Sequence, residues 1–534
     1  MKKEIKAEGI DHLGIVSAIC DEINLVETID SIIPKKSNMN ISIGMRVKAM
    51  VLNALGFTGR ALYLNHQFFQ KKPLDLLLGP DIATQDLNDD AMGRALDEIY
   101  KAGAELVYCT VAMQAIKNYK VKIEDVHGDT TSISVEGAYD GRKNNGLIRF
   151  GYSKDLRKDL KQFILSSFVT GDGGIPIFGS AVAGNTSDAK YFRAAFRALK
   201  ENIVLDLDGI TLINDAAAYN AETIKSLDWA TWIFRVPDTI GEAKSLKINT
   251  TNESFIKLSK GYSIFESHSS YGDVEQRWLI VRSEKALERS KKSIARKVDK
   301  EINDLETKIK KGGNKEFGTI NFAKQLISKI LSKTKYHTIE VCKISSSKIK
   351  CGIRSGIKKI VVGNVEILIH RCNDKIQQAI DLKSKFIIAT NQLDESKLSG
   401  EMVLLKYKNQ FKVEKGFRFL KNPLCMASSI YLKNDNRIIA LSTVMLITLL
   451  VYSVAERALR TALVENNLCV RSQTNKPVQN PTIRWIFQKM EDIIVLRYVE
   501  DDKQIVQVTN LSDELEMIIR LLGSKCMKRY TVNT

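Results

Sequence analysis

From residue 10 to about residue 119 apolar positions recur at helical spacing, most clearly over Ile43–Leu55 and over 90–117, the second following the N-cap-like pair Asn88-Asp89. Gly56, Gly59 and Lys71-Lys72-Pro73 break this stretch into short helices. The period then drops to two. Residues 121–135 are rich in β-branched side chains and are followed by apolar runs at 162–170 and 175–183, joined by Gly171-Asp172-Gly173-Gly174, a hairpin signal. A helix is expected from Thr186-Ser187-Asp188 to about Asn202, then a short strand over 209–214, a helix over 217–226 and a strand over 230–236.

Residues 238–400 interrupt that pattern with a charged helical stretch at 283–311 and strands such as 359–370 and 386–390. After them come a two-faced helix at 407–423, an apolar helix and a helical tail through Thr534. Three antiparallel strands, helix, strand, helix, strand is the order of a ribonuclease H-like α/β domain. The expected organisation is therefore a helical domain over 1–119, for DNA binding or dimerisation, and a ribonuclease H-like core over 120–237 and 401–465. A large, mainly β insertion over 238–400 would separate the two parts of the core, and a helical C-terminal region would follow over 466–534.

Across 534 residues, 44% hydrophobic and 27% charged, composition fits a folded protein of several domains. The charge balance adds more: 80 Lys plus Arg against 62 Asp plus Glu leave +18, a field suited to a polyanion such as DNA or RNA. Eight cysteines with no C-x-x-C pair, and an N-terminus lacking an apolar signal run, point to the reducing cytoplasm. Residues 438–454 are uncharged and approach the length of a membrane span. Ser442, Thr443 and Thr448 within the run, flanking Arg437 and Glu456, and the lack of a second run make it a buried core helix, with no membrane partner expected. No Walker or dinucleotide fingerprint appears, against ATP-driven or redox chemistry. Asp206-Leu207-Asp208-Gly209 lacks the remaining ligands of a calcium loop, and His337, Cys342, Cys351, His370 and Cys372 match no zinc spacing.

Three acids stand out by placement. Asp129 rides late on the first strand, Asp215 sits where a buried strand gives way to a helix, and Glu414 lies on the two-faced helix. Singly, they read equally as a turn residue, a helix cap and a solvent-facing acid. Jointly, carboxylates on neighbouring strands and on a helix laid across the sheet converge. They would repel and take up protons unless divalent cations joined them, and such ions support phosphodiester cleavage or exchange. On that helix Tyr407, Gln410, Glu414 and Lys421 fall within about 60° of one another, and Val413, Phe417 and Leu420 form a separate apolar stripe.

The string Tyr407-x2-Gln410-x3-Glu414-x6-Lys421 resembles the Tyr-Arg-Glu-Lys signature of DDE transposases of prokaryotic insertion sequences, with Gln where Arg is usual. Asp129-Thr130-Thr131, Gly184-Asn185-Thr186-Ser187-Asp188 and the Asp215 turn add to the likeness, which spans about 121–454. It implies that Asp129, Asp215 and Glu414 hold two Mg²⁺ or Mn²⁺ ions. It also implies that Tyr407, Gln410 and Lys421 touch DNA beside the scissile bond, with Arg418 one turn beyond Glu414 able to supply the charge that Gln410 lacks. Trp278 is the candidate aromatic for trapping a flipped base, unless it is a strand-core residue. The implied partners are the element's terminal inverted repeats, target DNA and a second copy of the chain, acting by cut-and-paste in a prokaryotic cytoplasm. The rival expectations are a basic DNA-binding protein without catalysis, or a ribonuclease H-like nuclease that does not transpose.

Overall fold

The computed structural model of the chain describes residues 5–37, 39–58, 61–136, 139, 146–202, 209–313, 328, 334–343, 357–362, 365–422, 432–501 and 503–531. They form two compact units, residues 1–234 with 405–534, and residues 235–404.

The first unit is built on a mixed sheet. Asp125–Val135 pairs antiparallel with Lys161–Thr170, which on its far side carries Pro176–Phe178 and Ala181–Ala183. On its other side Asp125–Val135 pairs parallel with Thr211–Asn214, itself parallel to Thr231–Arg235. With Pro176–Phe178 and Ala181–Ala183 counted as one interrupted edge strand, the strands in chain order lie third, second, first, fourth, fifth, which is the ribonuclease H-like arrangement. Lys161–Thr170 is buried along its whole length, so its apolar run is nearly continuous, whereas a half-exposed strand would alternate.

Helix Asp188–Asn202 presents Phe192, Phe196 and Leu199 at offsets of four and seven, one helical stripe, and all three are buried. The Phe196 ring stacks on Phe234 at 5.8 Å and meets Phe168 edge-on at 5.7 Å, and Trp232 stacks on Phe234 at 5.1 Å. Phe196→Ala is expected to destabilise this unit by about 3–5 kcal/mol, because no neighbouring side chain can fill the space. Denaturant titration checks it, with a lower midpoint at unchanged slope.

Helix Asp435–Glu465 carries the apolar run. It is the one helix among the described residues that is long and apolar enough to cross a membrane, and 89% of that stretch is buried in protein. It packs on helices Leu13–Glu22, Ile43–Leu55, Asp89–Ala102 and Ala104–Asn118. Ser442 and Thr448 donate to the carbonyls of Ile438 and Val444, each at 2.8 Å, so their hydroxyls are satisfied inside the core.

The structure departs from the sequence expectations in several places; the strand expected over 359–370, for one, is two, Ile357–Val362 and Val365–Arg371, paired antiparallel. The helix expected over 90–117 is two helices hinged at Gly103, whose φ of +96° an L side chain rarely adopts. The stretch expected as one helix over 407–423 is also two, Gly400–Lys408 and Phe411–Leu420, with Asn409 and Gln410 in tight turns between them; Pro423 lies outside the described residues. The C-terminal region is not wholly helical: Ile494–Glu500 and Lys503–Thr509, rich in Ile and Val, form a hairpin turning at Asp501, with Lys6–Gly9 as a third strand.

The insertion, finally, is mixed rather than mainly β. Residues 235–404 hold the antiparallel strands Ile256–Lys257, Tyr262–Ser269, Gln276–Ser283 and Lys385–Thr390, and a three-stranded sheet centred on Val365–Arg371. They also hold helices Gly241–Asn249, Glu284–Gly313 and Asn373–Ser384. The charged helix Glu284–Gly313 stays folded because Ile294, Val298, Leu305 and Ile309 line one buried stripe within the unit.

Candidate functional site

The site joins one face of the first strand to residues from two consecutive helices and the turn between them. Asp125, His127 and Asp129 share one face of the first strand, about 6.6 Å apart at each step. Against them come Lys406 in the last turn of Gly400–Lys408, Gln410 in the turn between the two helices, and Glu414 in Phe411–Leu420. Lys406 Nζ pairs with the Asp125 carboxylate, and Gln410 Nε2 donates to the Gly128 carbonyl at 2.9 Å beside His127. Glu414 and Asp129 both line one open cleft of about 500 Å³ with Thr130, Lys154, Arg418 and Lys421. Asp215 arrives from the sheet. His127 is level with Ile213 in the parallel register, and Asp215, just past the end of Thr211–Asn214, comes close enough to Asp129 for its charge to raise the Asp129 pKa. The Asn214 amide, at the end of its strand, ties it to the first strand by donating to Gly128 O at 2.8 Å, and Asp215 Oδ1 caps the following turn by accepting from Ala217 N–H at 2.9 Å.

Burial pushes the Asp129 carboxyl up to about 6; Lys154 and the Thr130 N–H oppose this, and the charges of Asp215 and Asp188 add to it. Asp188 accepts from the Thr130 hydroxyl at 2.8 Å, and the Lys154 ammonium lies 3.6 Å from Asp129 and 3.5 Å from Asp188. His127 is held neutral, its pKa lowered to about 4 by burial.

Glu414 and Arg418 are exposed on the Phe411–Leu420 helix, whose other face buries Val413, Phe417 and Leu420. Lys421, just past the helix, pairs with Asp155 at 2.6 Å. Tyr407 is half-buried in the last turn of the preceding helix. Gln410 is turned inward to the strand, its Oε1 buried, rather than toward a phosphate. Trp278 lies in the other unit, fully buried in strand Gln276–Ser283, with Nε1 donating to Gln276 at 3.0 Å. No face of its ring is open for a base, so this structure gives it the strand-core role. His337 pairs instead with Glu301 at 3.0 Å and His370 lies 3.3 Å from Glu340, while Cys351, the Cys342 side chain, Asp206 and Asp208 lie outside the described residues. Sequence reasoning missed Lys154, Asp155 and the inward role of Gln410. The charged run Lys154-Asp155-x-Arg157-Lys158-Asp159 between two strands was the available signal.

Among the described residues no three carboxylate, imidazole or thiol groups are close enough to hold a metal ion as they stand. The donor chemistry nonetheless suits one. Asp129 and Asp215 are hard oxygen ligands close enough to raise the Asp129 pKa, Glu414 faces the same cleft, and an ammonium already rests against Asp129.

Residues 128–451 match the family described as Transposase DDE domain, and residues 5–113 match a Domain of unknown function (DUF4277). No curated protein matches the chain. Among solved structures it is similar to the piggyBac transposase in a synaptic complex with hairpin DNA, at 9% identity over 90% of this chain and 80% of that one, with a TM-score of 0.39. Since the transposase model covers more than half of its length, and all three acids of the site, the chain belongs to the DDE transposases.

Proposed function

We propose that this DDE transposase cleaves DNA at the terminal inverted repeats of its own insertion sequence and joins the freed ends to target DNA by cut-and-paste. The observation that carries this reading is the shared cleft of Asp129 and Glu414, with Asp215 just past the end of the adjoining strand and Lys154, Arg418 and Lys421 around the cleft. Asp129, Asp215 and Glu414 would hold two Mg²⁺ or Mn²⁺ ions, which when bound polarise the scissile phosphate and lower the pKa of the attacking water or 3′-hydroxyl. The protein's own part is to position. Arg418 and Lys421, with Tyr407, grip the phosphates flanking the scissile bond, and the buried Asp125–Val135 strand fixes Asp129 against the reacting phosphate. Gln410 holds the Gly128 carbonyl and thereby the strand backbone next to Asp129. The +18 net charge draws DNA to the protein, and we infer a homodimer that brings two element ends together in a prokaryotic cytoplasm.

The test is incubation with Mg²⁺ or Mn²⁺ and oligonucleotides carrying the element's own ends. Nicking at the end and joining to a second duplex are expected from the wild type, and neither from Asp129→Ala. Nicking without joining would make the protein a nuclease. DNA binding with no metal-dependent nicking would make it a transposase-derived binding protein.

A further inference from the structure

The segment 146–160, between strands Asp125–Val135 and Lys161–Thr170, is pinned along its length. Lys154 N–H donates to Ser132 Oγ at 3.0 Å, Arg157 N–H donates to Ser153 Oγ at 3.2 Å, and Gln162 Nε2 donates to the carbonyls of Tyr152 and Gly184 at 3.1 and 2.9 Å. Gly151 comes so near Gly184 that a Cβ there would lie 1.9 Å from its carbonyl oxygen. From this fixed backbone two consecutive side chains reach groups of opposite charge. The Lys154 ammonium donates to Thr130 O at 2.7 Å and Thr130 Oγ1 at 2.8 Å, and lies between Asp129 and Asp188. The Asp155 carboxylate lies 2.6 Å from Lys421 Nζ. Leu156, next in the chain, is held at φ +62°, a region non-glycine residues seldom adopt, with its side chain 80% exposed.

A cation thus rests against a carboxylate read here as a metal ligand, and an anion rests against an ammonium read here as a phosphate ligand. We propose that Lys154 and Asp155 are placeholders for the two components of the substrate complex: Lys154 stands where divalent metal is to be held, Asp155 stands where a DNA phosphate is to meet Lys421, and both give way when metal and DNA enter. The proposal rests on the function proposed above and adds its regulation. Each contact keeps a charge of the free cleft compensated, and each must be exchanged for a stronger partner, so metal-free protein is held back from DNA and DNA-free protein from metal. Because the backbone is fixed, the exchange is one of side-chain position alone.

Mn²⁺ binding to DNA-free protein, read from the spectroscopic signal of free Mn²⁺, tests the first half. Lys154→Met keeps the length of the side chain and removes its charge, so it should bind Mn²⁺ roughly tenfold more tightly than wild type. Lys154→Gln, a polar replacement that tolerates a wet cleft, should shift binding the same way, and a melting curve for each variant establishes that it is folded. Asp155→Asn should bind end-bearing duplex in EDTA several-fold more tightly, with a steeper salt dependence from the released Lys421. Mn²⁺ affinity unchanged or weakened in folded Lys154 variants, or DNA affinity unchanged in Asp155→Asn, overturns the placeholder. Loss of Mn²⁺ binding in Asp129→Ala shows that the metal reading survives such a result. Wild-type Mn²⁺ binding that is absent, or indifferent to Asp129→Ala, sinks the metal reading and the placeholder with it.

Discussion

Asp129→Asn should abolish nicking and yet yield a protein that, in EDTA at pH 7.5, melts at a higher temperature than wild type. Loss of activity follows from the site, since an amide offers a divalent cation neither the charge nor the two equivalent oxygens of a carboxylate. The gain in stability follows from burial. Burial, assisted by Asp215 and Asp188, raises the folded carboxyl from an ordinary 3.8 to about 6, so ionising it costs more in the fold than in the unfolded chain. The cost is absent below about pH 4, where both states carry the proton. It grows between about pH 4 and 6 and is complete above that. The variant should therefore gain about 1–3 kcal/mol at pH 7.5 and nothing at pH 4, and nicking by the wild type should fall as pH drops below about 6. Calorimetry at the two pH values checks the first statement and a pH–rate profile the second. A variant that melts lower than wild type at pH 7.5 would mean that Asp129 holds the strand together rather than waiting for a cation.

The second large effect is expected at Glu414. Glu414→Gln preserves the shape of the exposed side chain on the Phe411–Leu420 helix, so folding should be unaffected, while nicking of end-bearing duplex should drop by at least roughly a thousandfold, the scale lost with one strong electrostatic contact to a transition state. Binding to the same DNA should hold or tighten slightly, because one negative charge leaves the phosphate path beside Arg418 and Lys421. Glu414→Asp, shorter by one methylene, should recover part of the rate with Mn²⁺. A fully active Glu414→Gln would remove Glu414 from the catalytic site and leave it on the surface of the helix as an ordinary acid.

Much of this was legible because local pattern and global fold agree there. The β-branched run around Asp129 forms the strand Asp125–Val135, Asp215 directly follows Thr211–Asn214, and the helix begun at Asp188 ends at Asn202. The apolar run at 438–454 lies within a buried helix for the reason its hydroxyls suggested. What stayed hidden depends on contacts distant in sequence. A one-dimensional pattern cannot show that Gln410 turns toward the Gly128 carbonyl, because that carbonyl is provided by a strand 282 residues away in sequence. The hairpin at 494–509 finds its third strand at Lys6–Gly9, at the other end of the chain. Trp278 has the sequence neighbours of either a core or a surface residue, and only the sheet around it decides that it is core. Lys154 and Asp155 belong to a polar loop, where a charge run ordinarily means solvation, so their pairing with Asp188 and Lys421 is a tertiary fact.

The compact unit at 235–404 stands in the chain between the second acid and the third. During synthesis at about 5–20 residues per second, the 199 residues from Asp215 to Glu414 take roughly 10–40 s to make. For that interval the nascent chain carries two of its acids without the third, and any fragment ending inside the insertion lacks Glu414 altogether. If Glu414 has the role proposed for it, premature termination inside the insertion is expected to yield polypeptides that bind DNA without nicking it, which the same end-bearing oligonucleotides would check.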